Sequence, residues 1–287
     1  MAGSVRPSQF GSAIRRPVLE LPVDQNRSLM DFWQEQIAQL AATIGSSKLP
    51  VRIMFDKNAK TLPAPPQIAG STQFSIERDP SDIRGTGGVL RDITRVYDGD
   101  DYVLVANGAQ VLVQSLDDLS RSLAALHGDV GIISHLDGTP SGIMLVRCGV
   151  LDDVSAVGFQ DMKEQVLPRI AQKFDIRVAH FEQPTGVPIR SLSDYIRALS
   201  IYHQARKGVE TVDPFAENLK SLFAIVHPQA HVDSTAKLHD SVVLPGGRVE
   251  AGAVLVRSIV CPGAVVRRDQ RVVERIVAGG RSSEGAR

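Results

Sequence analysis

Between Ile83 and Gln110 the chain reads I-R-G-T-G-G-V-L-R-D-I-T-R-V-Y-D-G-D-D-Y-V-L-V-A-N-G-A-Q. Two short runs in it are of the kind that handles a phosphate or a base. Gly85-Thr86-Gly87-Gly88 leads straight into a helix-like run from Val89 to Val96. With no Cβ in the way, backbone N–H groups at such a helix start can approach an anion closely. Tyr102 to Ala106 is a short apolar strand that stops at Asn107-Gly108. Its end falls at the carboxyl edge of a sheet, where open α/β folds bind ligands. Gly85, Thr86, Gly87, Gly88, Asn107 and Gly108 are therefore the candidate nucleotide-contacting residues. The glycine turn also fits a plain helix cap, and both readings stand.

Those runs need a scaffold, and the hydrophobic periodicity supplies one. Residues 1–16 read as an irregular lead-in, and Pro17 to Val23 as extended chain between prolines. Asn26 or Ser28 is placed to cap a helix from Leu29 to Ala42, with Trp33 on its apolar, core-facing side. Val51–Phe55 and Gln73–Ile76 read as strands separated by a Pro/Ala/Gly-rich loop over 58–72. Helices follow at 116–126, 162–173 and 194–205, the last capped by Ser193. Strands are expected at 129–134, 141–146 and 176–181, the first two joined by the turn Asp137-Gly138-Thr139-Pro140. Such alternation predicts an α/β fold with a mostly parallel sheet over residues 17–213.

Beyond Pro214 the period changes. Val226, Val232 and Leu238 recur every six residues. Ser241-Val242-Val243-Leu244-Pro245-Gly246-Gly247 is echoed seventeen residues later by Ser258-Ile259-Val260-Cys261-Pro262-Gly263-Ala264. Short repeats with small residues at the corners predict a left-handed parallel β-helix of hexapeptide coils over 214–278, followed by a polar tail, 279–287.

Composition limits the function. Lys+Arg and Asp+Glu are both 32, giving zero formal charge. That speaks against nucleic acid, or an anionic membrane, as a partner bound through bulk charge. Two cysteines without CxxC spacing fit a reducing cytoplasm rather than a thiolate metal site. Neither a secretory signal nor a bilayer-length apolar run is present.

An α/β domain ahead of hexapeptide coils resembles the sugar-1-phosphate nucleotidyltransferases (NDP-sugar pyrophosphorylases), the mannose-1-phosphate guanylyltransferase type among them. Arg84 to Leu90 is similar to that family's L-G-T-A-G-A-L turn, and Tyr102 to Gly108 to its F-L-V-L-N-G-D strand. Ser141 to Leu145 resembles A-G-I-Y-V-L, and Ile189 to Ala198 resembles the segment D-I-G-T-P-E-D-Y-L-x-A. The resemblance implies attack of a sugar phosphate on the α-phosphorus of a nucleoside triphosphate. Mg²⁺ on two carboxylates, a basic clamp and backbone donors would assist. The charged positions depart from the pattern. Where the family places its two carboxylates, this chain has Ala109 and Pro188; where it places a lysine, Val18. Nothing in residues 1–16 matches the family's opening glycine loop. Arg15, Arg16, Asp100, Asp101 and Asp194 are the available substitutes, though the arginines also fit a solvated role, Asp100 and Asp101 a polar turn, and Asp194 the first turn of a helix.

Three functions follow. The first is a catalytically impaired, nucleotidyltransferase-like protein that binds a nucleotide or NDP-sugar, serves as a regulatory or assembly subunit, and associates with itself or a partner through the β-helix. The second is an active transferase with relocated ligands. The third is a hexapeptide acyltransferase using His227, His231 or His239.

Overall fold

The computed structural model describes residues 9–55, 72–79, 84–207 and 221–279. Residues 58–71 of the loop expected over 58–72, the first eight residues of the lead-in, the start of the hexapeptide segment before residue 221 and the tail from 280 onward lie outside them; Thr72, the last residue of that loop, opens a strand instead. In chain order the elements are α1 (Gln9–Ile14), α2 (Leu29–Thr43), β1 (Leu49–Phe55), β2 (Thr72–Arg78), α3 (Gly85–Thr94), β3 (Tyr102–Ala106), β4 (Gln110–Leu112) and α4 (Leu116–Ala124). Then come β5 (Val130–His135), β6 (Pro140–Arg147), α5 (Leu167–Ile170), β7 (Ile176–Phe181), β8 (Gly186–Pro188) and α6 (Leu192–Lys207). Ten short strands complete the chain: β9 (Ala224–Val226), β10 (His231–Val232), β11 (Lys237–His239), β12 (Ser241–Val243), β13 (Arg248–Val249), β14 (Val254–Val256), β15 (Ile259–Val260), β16 (Val265–Val266), β17 (Arg271–Val273) and β18 (Ile276–Val277). Of the described residues, 33–186 form one compact unit, and 9–32 with 187–279 a second.

In the first unit, four strands pair in the order β3-β6-β5-β7, and β1 pairs in parallel with β2. β6 runs antiparallel to both its neighbours, while β7 is parallel to β5. The four-stranded sheet is thus mixed, where strand–helix alternation predicts a mostly parallel one. The reason is local. Only a few residues link β5 to β6, too few for the crossover a parallel pair needs, so the chain must turn back on itself. The turn closes with His135 N–H donating to the Thr139 carbonyl (2.9 Å) and Thr139 N–H to the Asp137 carboxylate (2.8 Å). Leu90 of α3, Val105, Val130 and Val146 of this sheet, and Val150, Met162, Val166 and Ile170 from the segment after β6 make up one core cluster.

At three helix starts the structure settles or corrects the sequence pattern for identifiable reasons. α2 is capped by Ser28, whose Oγ accepts from Asp31 N (3.2 Å) while Ser28 N donates to the Asp31 carboxylate (2.8 Å); this reciprocal pair decides between Ser28 and Asn26. The helix expected over 162–173 opens instead with a π turn, Met162–Val166, ahead of α5. Pro168 in the first turn of α5 has no N–H to carry a regular ladder through. α6 is capped by Ser191, which accepts from Asp194 N (3.1 Å), and begins before Ser193.

In the second unit the short strands form three parallel sheets, β9-β12-β15-β18, β10-β13-β16 and β11-β14-β17. Each strand pairs with the residues seventeen positions on, as in Val242 with Ile259 and Leu238 with Leu255. Val243, Val249, Leu255, Val260, Val266 and Val272 fill the interior. Ser258 N donates to Ser241 Oγ and Arg275 N to Ser258 Oγ, both at 3.1 Å, so a buried serine ladder ties successive repeats. At one corner Asp240, Arg257 and Glu274 share positive φ (46°, 44°, 51°), and Arg257 pairs with Glu274 at 2.6 Å. This stack is compatible with a parallel β-helix.

Candidate functional site

The glycine turn is the first turn of α3 itself, which starts at Gly85, four residues before the apolar run suggests. Its donors face the chain's own backbone. Gly87 N and Gly88 N both donate to the Gln160 carbonyl (2.9 and 3.3 Å), and Gln160 N donates to the Arg84 carbonyl (2.8 Å). Met162 N donates to Thr86 Oγ1 (3.1 Å). Gly85 has φ +68°, and a Cβ there would lie 2.6 Å from the Gln160 carbonyl oxygen. At Gly87 it would lie 2.6 Å from Val166 Cγ2. These glycines let residues 158–162 lie directly against the helix start.

Arg84 locks the same segment. Its side chain is about nine-tenths buried and engages Asp92 through Nε (2.9 Å) and Nη2 (3.0 Å). Nη1 donates to the Gly158 carbonyl (3.1 Å), and the guanidinium also reaches the carbonyl of Ser155 (3.3 Å). Burial works to raise the Asp92 pKa, but the hydrogen bonds and charges of Arg84 and Arg91 prevail and hold it below the ordinary carboxylate value.

The loop after β3 is built differently. Asn107 N donates to the Gly142 carbonyl (2.8 Å), and Asn107 Oδ1 accepts from Ala109 N (3.0 Å). The Trp33 indole N–H, from α2, is shared between the carbonyls of Gly108 (2.9 Å) and Gln110 (3.1 Å). Gln110 is 2% exposed, and its Nε2 has no hydrogen-bond partner. The carboxamide lies between two glycines. A Cβ at Gly186 would come within 3.1 Å of Oε1, and one at Gly142, where φ is +78°, within 3.7 Å of Nε2. Nearby, Thr185 N donates to His135 Nε2 (3.1 Å), which places the ring proton on Nδ1. The Thr185 carbonyl accepts from Val113 N (2.9 Å). One buried amide donor is thus left over at the carboxyl end of β3.

The structure places Gly85–Gly88 against Gln160 and Asn107–Gly108 beside Gln110. Trp33 and Gln110 join the loop and Arg84 the turn, and none of the three is among the candidate contacts read from the sequence. Trp33 reads as core from its spacing, and Gln110 meets its neighbours only through residues distant in sequence.

The positions corresponding to metal ligands do not fit a cation. Ala109 offers a methyl group and Pro188 a ring, and among the described residues no three His, Cys, Asp or Glu side chains converge as metal ligands. Asp100 and Asp101 precede β3, whereas the loop follows it; at about 3.3 Å per residue the strand keeps them roughly 20 Å away. Asp101 accepts from Asp98 N (3.0 Å) within a polar turn, and Asp100 is fully exposed beside Arg147. Asp194 accepts from Arg190 N (3.2 Å) in the first turn of α6. In the second unit Arg15 and Arg16 lie in electrostatic range of Cys261, whose thiol is pushed up by burial against their pull. His227 Nδ1 accepts from Gln229 N in its own turn (3.1 Å).

No protein-family profile and no curated protein sequence matches the chain. Solved structures do. A candidate glucose-1-phosphate thymidylyltransferase from Bacillus anthracis, in complex with a sucrose, aligns over 67% of this chain and 91% of its own, at TM-score 0.53 and 11% identity. The chain shares the nucleotidyltransferase-like fold. HddC from Yersinia pseudotuberculosis (65% and 90% covered, 15% identity, TM-score 0.45) and a mycobacterial protein from strain JC1 (68% and 93%, 15%, 0.47) are further neighbours. Among the described residues no helix is long and apolar enough to cross a membrane.

Proposed function

We propose that this chain is a nucleotidyltransferase-like protein that has lost nucleotidyl transfer and retains ligand recognition, as a binding, regulatory or assembly subunit. The observation that carries this reading is the loop after β3. Its backbone is held in place by Gly142 and Trp33, yet position 109 is alanine, and the spare polar group is the neutral Gln110 carboxamide. A neutral donor suits a hydroxyl or carbonyl oxygen of a sugar or NDP-sugar, and it does not hold Mg²⁺. Transfer at phosphorus depends on charge placed around the reacting group, and neither Ala109 nor Pro188 supplies any. In this reading the Gly85–Gly88 turn is a packing device, and ligand contact passes to Asn107, Gly108 and Gln110.

We read residues 17–213 as the nucleotidyltransferase-like portion and 214–278 as a left-handed hexapeptide β-helix. Its last repeat carries the half-exposed Val265 and Val273 and meets a second copy or a protein partner. Isothermal calorimetry with nucleoside triphosphates, NDP-sugars and sugar phosphates, with and without Mg²⁺, tests the binding role. Metal-independent binding of a sugar-bearing ligand is expected. Binding that requires Mg²⁺ would count against it.

A further inference from the structure

We propose that Trp33 is the positioning residue of the Asn107–Gln110 loop, holding it so that the Gln110 carboxamide keeps a fixed place. The inference rests on the binding role above for its ligand, and on geometry alone for the latch. One indole N–H spans two carbonyls on either side of Ala109, at 2.9 and 3.1 Å, and so fixes the bulge between them. Trp33 is 7% exposed and anchored on the fifteen-residue α2, which makes the donor rigid. Asn107 N to the Gly142 carbonyl and Ala109 N to Asn107 Oδ1 secure the loop's first half, and beyond Ala109 the chain enters β4, a strand of a two-stranded sheet. Without the indole N–H, the carbonyls of Gly108 and Gln110 lose the one side-chain donor they share, so the turn that leads into β4, and with it the Gln110 carboxamide, is held less firmly. A neutral recognition site depends more on such placement than a charged one, because a single hydrogen bond is modest and directional.

Trp33 is the lone tryptophan of the chain, so growth of a tryptophan auxotroph on benzothienylalanine replaces this one indole. Sulfur then stands where N–H was and the ring shape is kept. Hydrogen exchange of the full chain is followed by mass spectrometry. The peptide covering 107–112 is expected to exchange about tenfold faster in the analogue protein, while the strands over 224–277 keep their wild-type rates. Trp33→Phe should repeat the local effect. Unchanged exchange in 107–112 overturns the proposal, and so does acceleration spread evenly over the whole molecule. Calorimetry with the NDP-sugars forms the second arm, where affinity should fall about tenfold in the analogue protein. Faster local exchange in a protein that binds none of these ligands in its wild-type form would leave the latch standing and remove the binding role.

Discussion

The glycine turn at the start of α3 and the loop after β3 look alike in sequence, each a short Gly-containing corner beside a regular element. Structurally they differ in what is left over: beside the turn it is a buried side-chain acceptor, Gln160 Oε1, and at the loop a buried donor, Gln110 Nε2. At the turn the N–H donors of Gly87 and Gly88 are used by the chain's own Gln160 carbonyl, and Cβ atoms are excluded by neighbouring backbone and by Val166. At the loop the backbone is satisfied by Gly142, Asn107 and Trp33, and one buried side-chain donor remains. A glycine corner is thus no guide to ligand binding by itself. What separates the two is where each polar group finds its partner, and that depends on residues far away in sequence.

The contrast can be broken most severely at the turn. Gly85→Val forces a β-branched residue into positive φ and drives its Cβ onto the Gln160 carbonyl. A loss of about 4 kcal/mol or failure to fold is expected in urea titration. Gly87→Val, which meets Val166 and Gln160, should cost about 3 kcal/mol. A folded Gly87→Val protein of wild-type stability that has lost only nucleotide affinity would return the turn to the ligand site.

Next in size is Arg84→Leu. It leaves the carbonyls of Ser155 and Gly158 and the Asp92 carboxylate without their main donor, for a loss of about 2 kcal/mol. Proteolysis should then favour residues 155–161. The same pair has a pH signature. Asp92 has a depressed folded pKa, so it contributes stability above its unfolded pKa and loses that contribution as pH falls through the folded value. Stability of the wild-type chain should therefore converge on that of Asp92→Asn in acid, below the ordinary carboxylate range, and exceed it at neutral pH. A gap between the two that is constant with pH would contradict the pairing.

The smallest effect on stability is expected at the loop. Gln110→Met removes a buried donor without a partner at nearly constant volume, so unfolding should shift by about 0.5 kcal/mol or less, or become slightly harder. Ligand affinity should nonetheless fall. A large destabilisation would show that the carboxamide is structural, and the contrast with the turn would vanish.

How much of this was legible beforehand differs between the two units. The seventeen-residue register of β9–β18 can be read directly, because every repeat places the same residue types in the same environment. The β5–β6 turn is equally local. The start of α3 is obscured because glycine is a poor helix former, and only the tertiary bond to Gln160 brings the helix back to Gly85. The break after Met162 follows from Pro168, which periodicity overlooks. Trp33 shows its apolar face in the helical pattern but not its N–H partner, and the hole for Gln110 is made by Gly142 and Gly186, which no local pattern connects to it.

The most direct test of the account is a pyrophosphate-release assay on the purified chain with each nucleoside triphosphate, common sugar-1-phosphates and Mg²⁺. Wild-type protein should release none above the protein-free rate. Ala109→Asp with Pro188→Asp should not restore release, since the position of the clamp lysine remains Val18. Robust Mg²⁺-dependent release by the wild-type chain would contradict the loss of transfer chemistry.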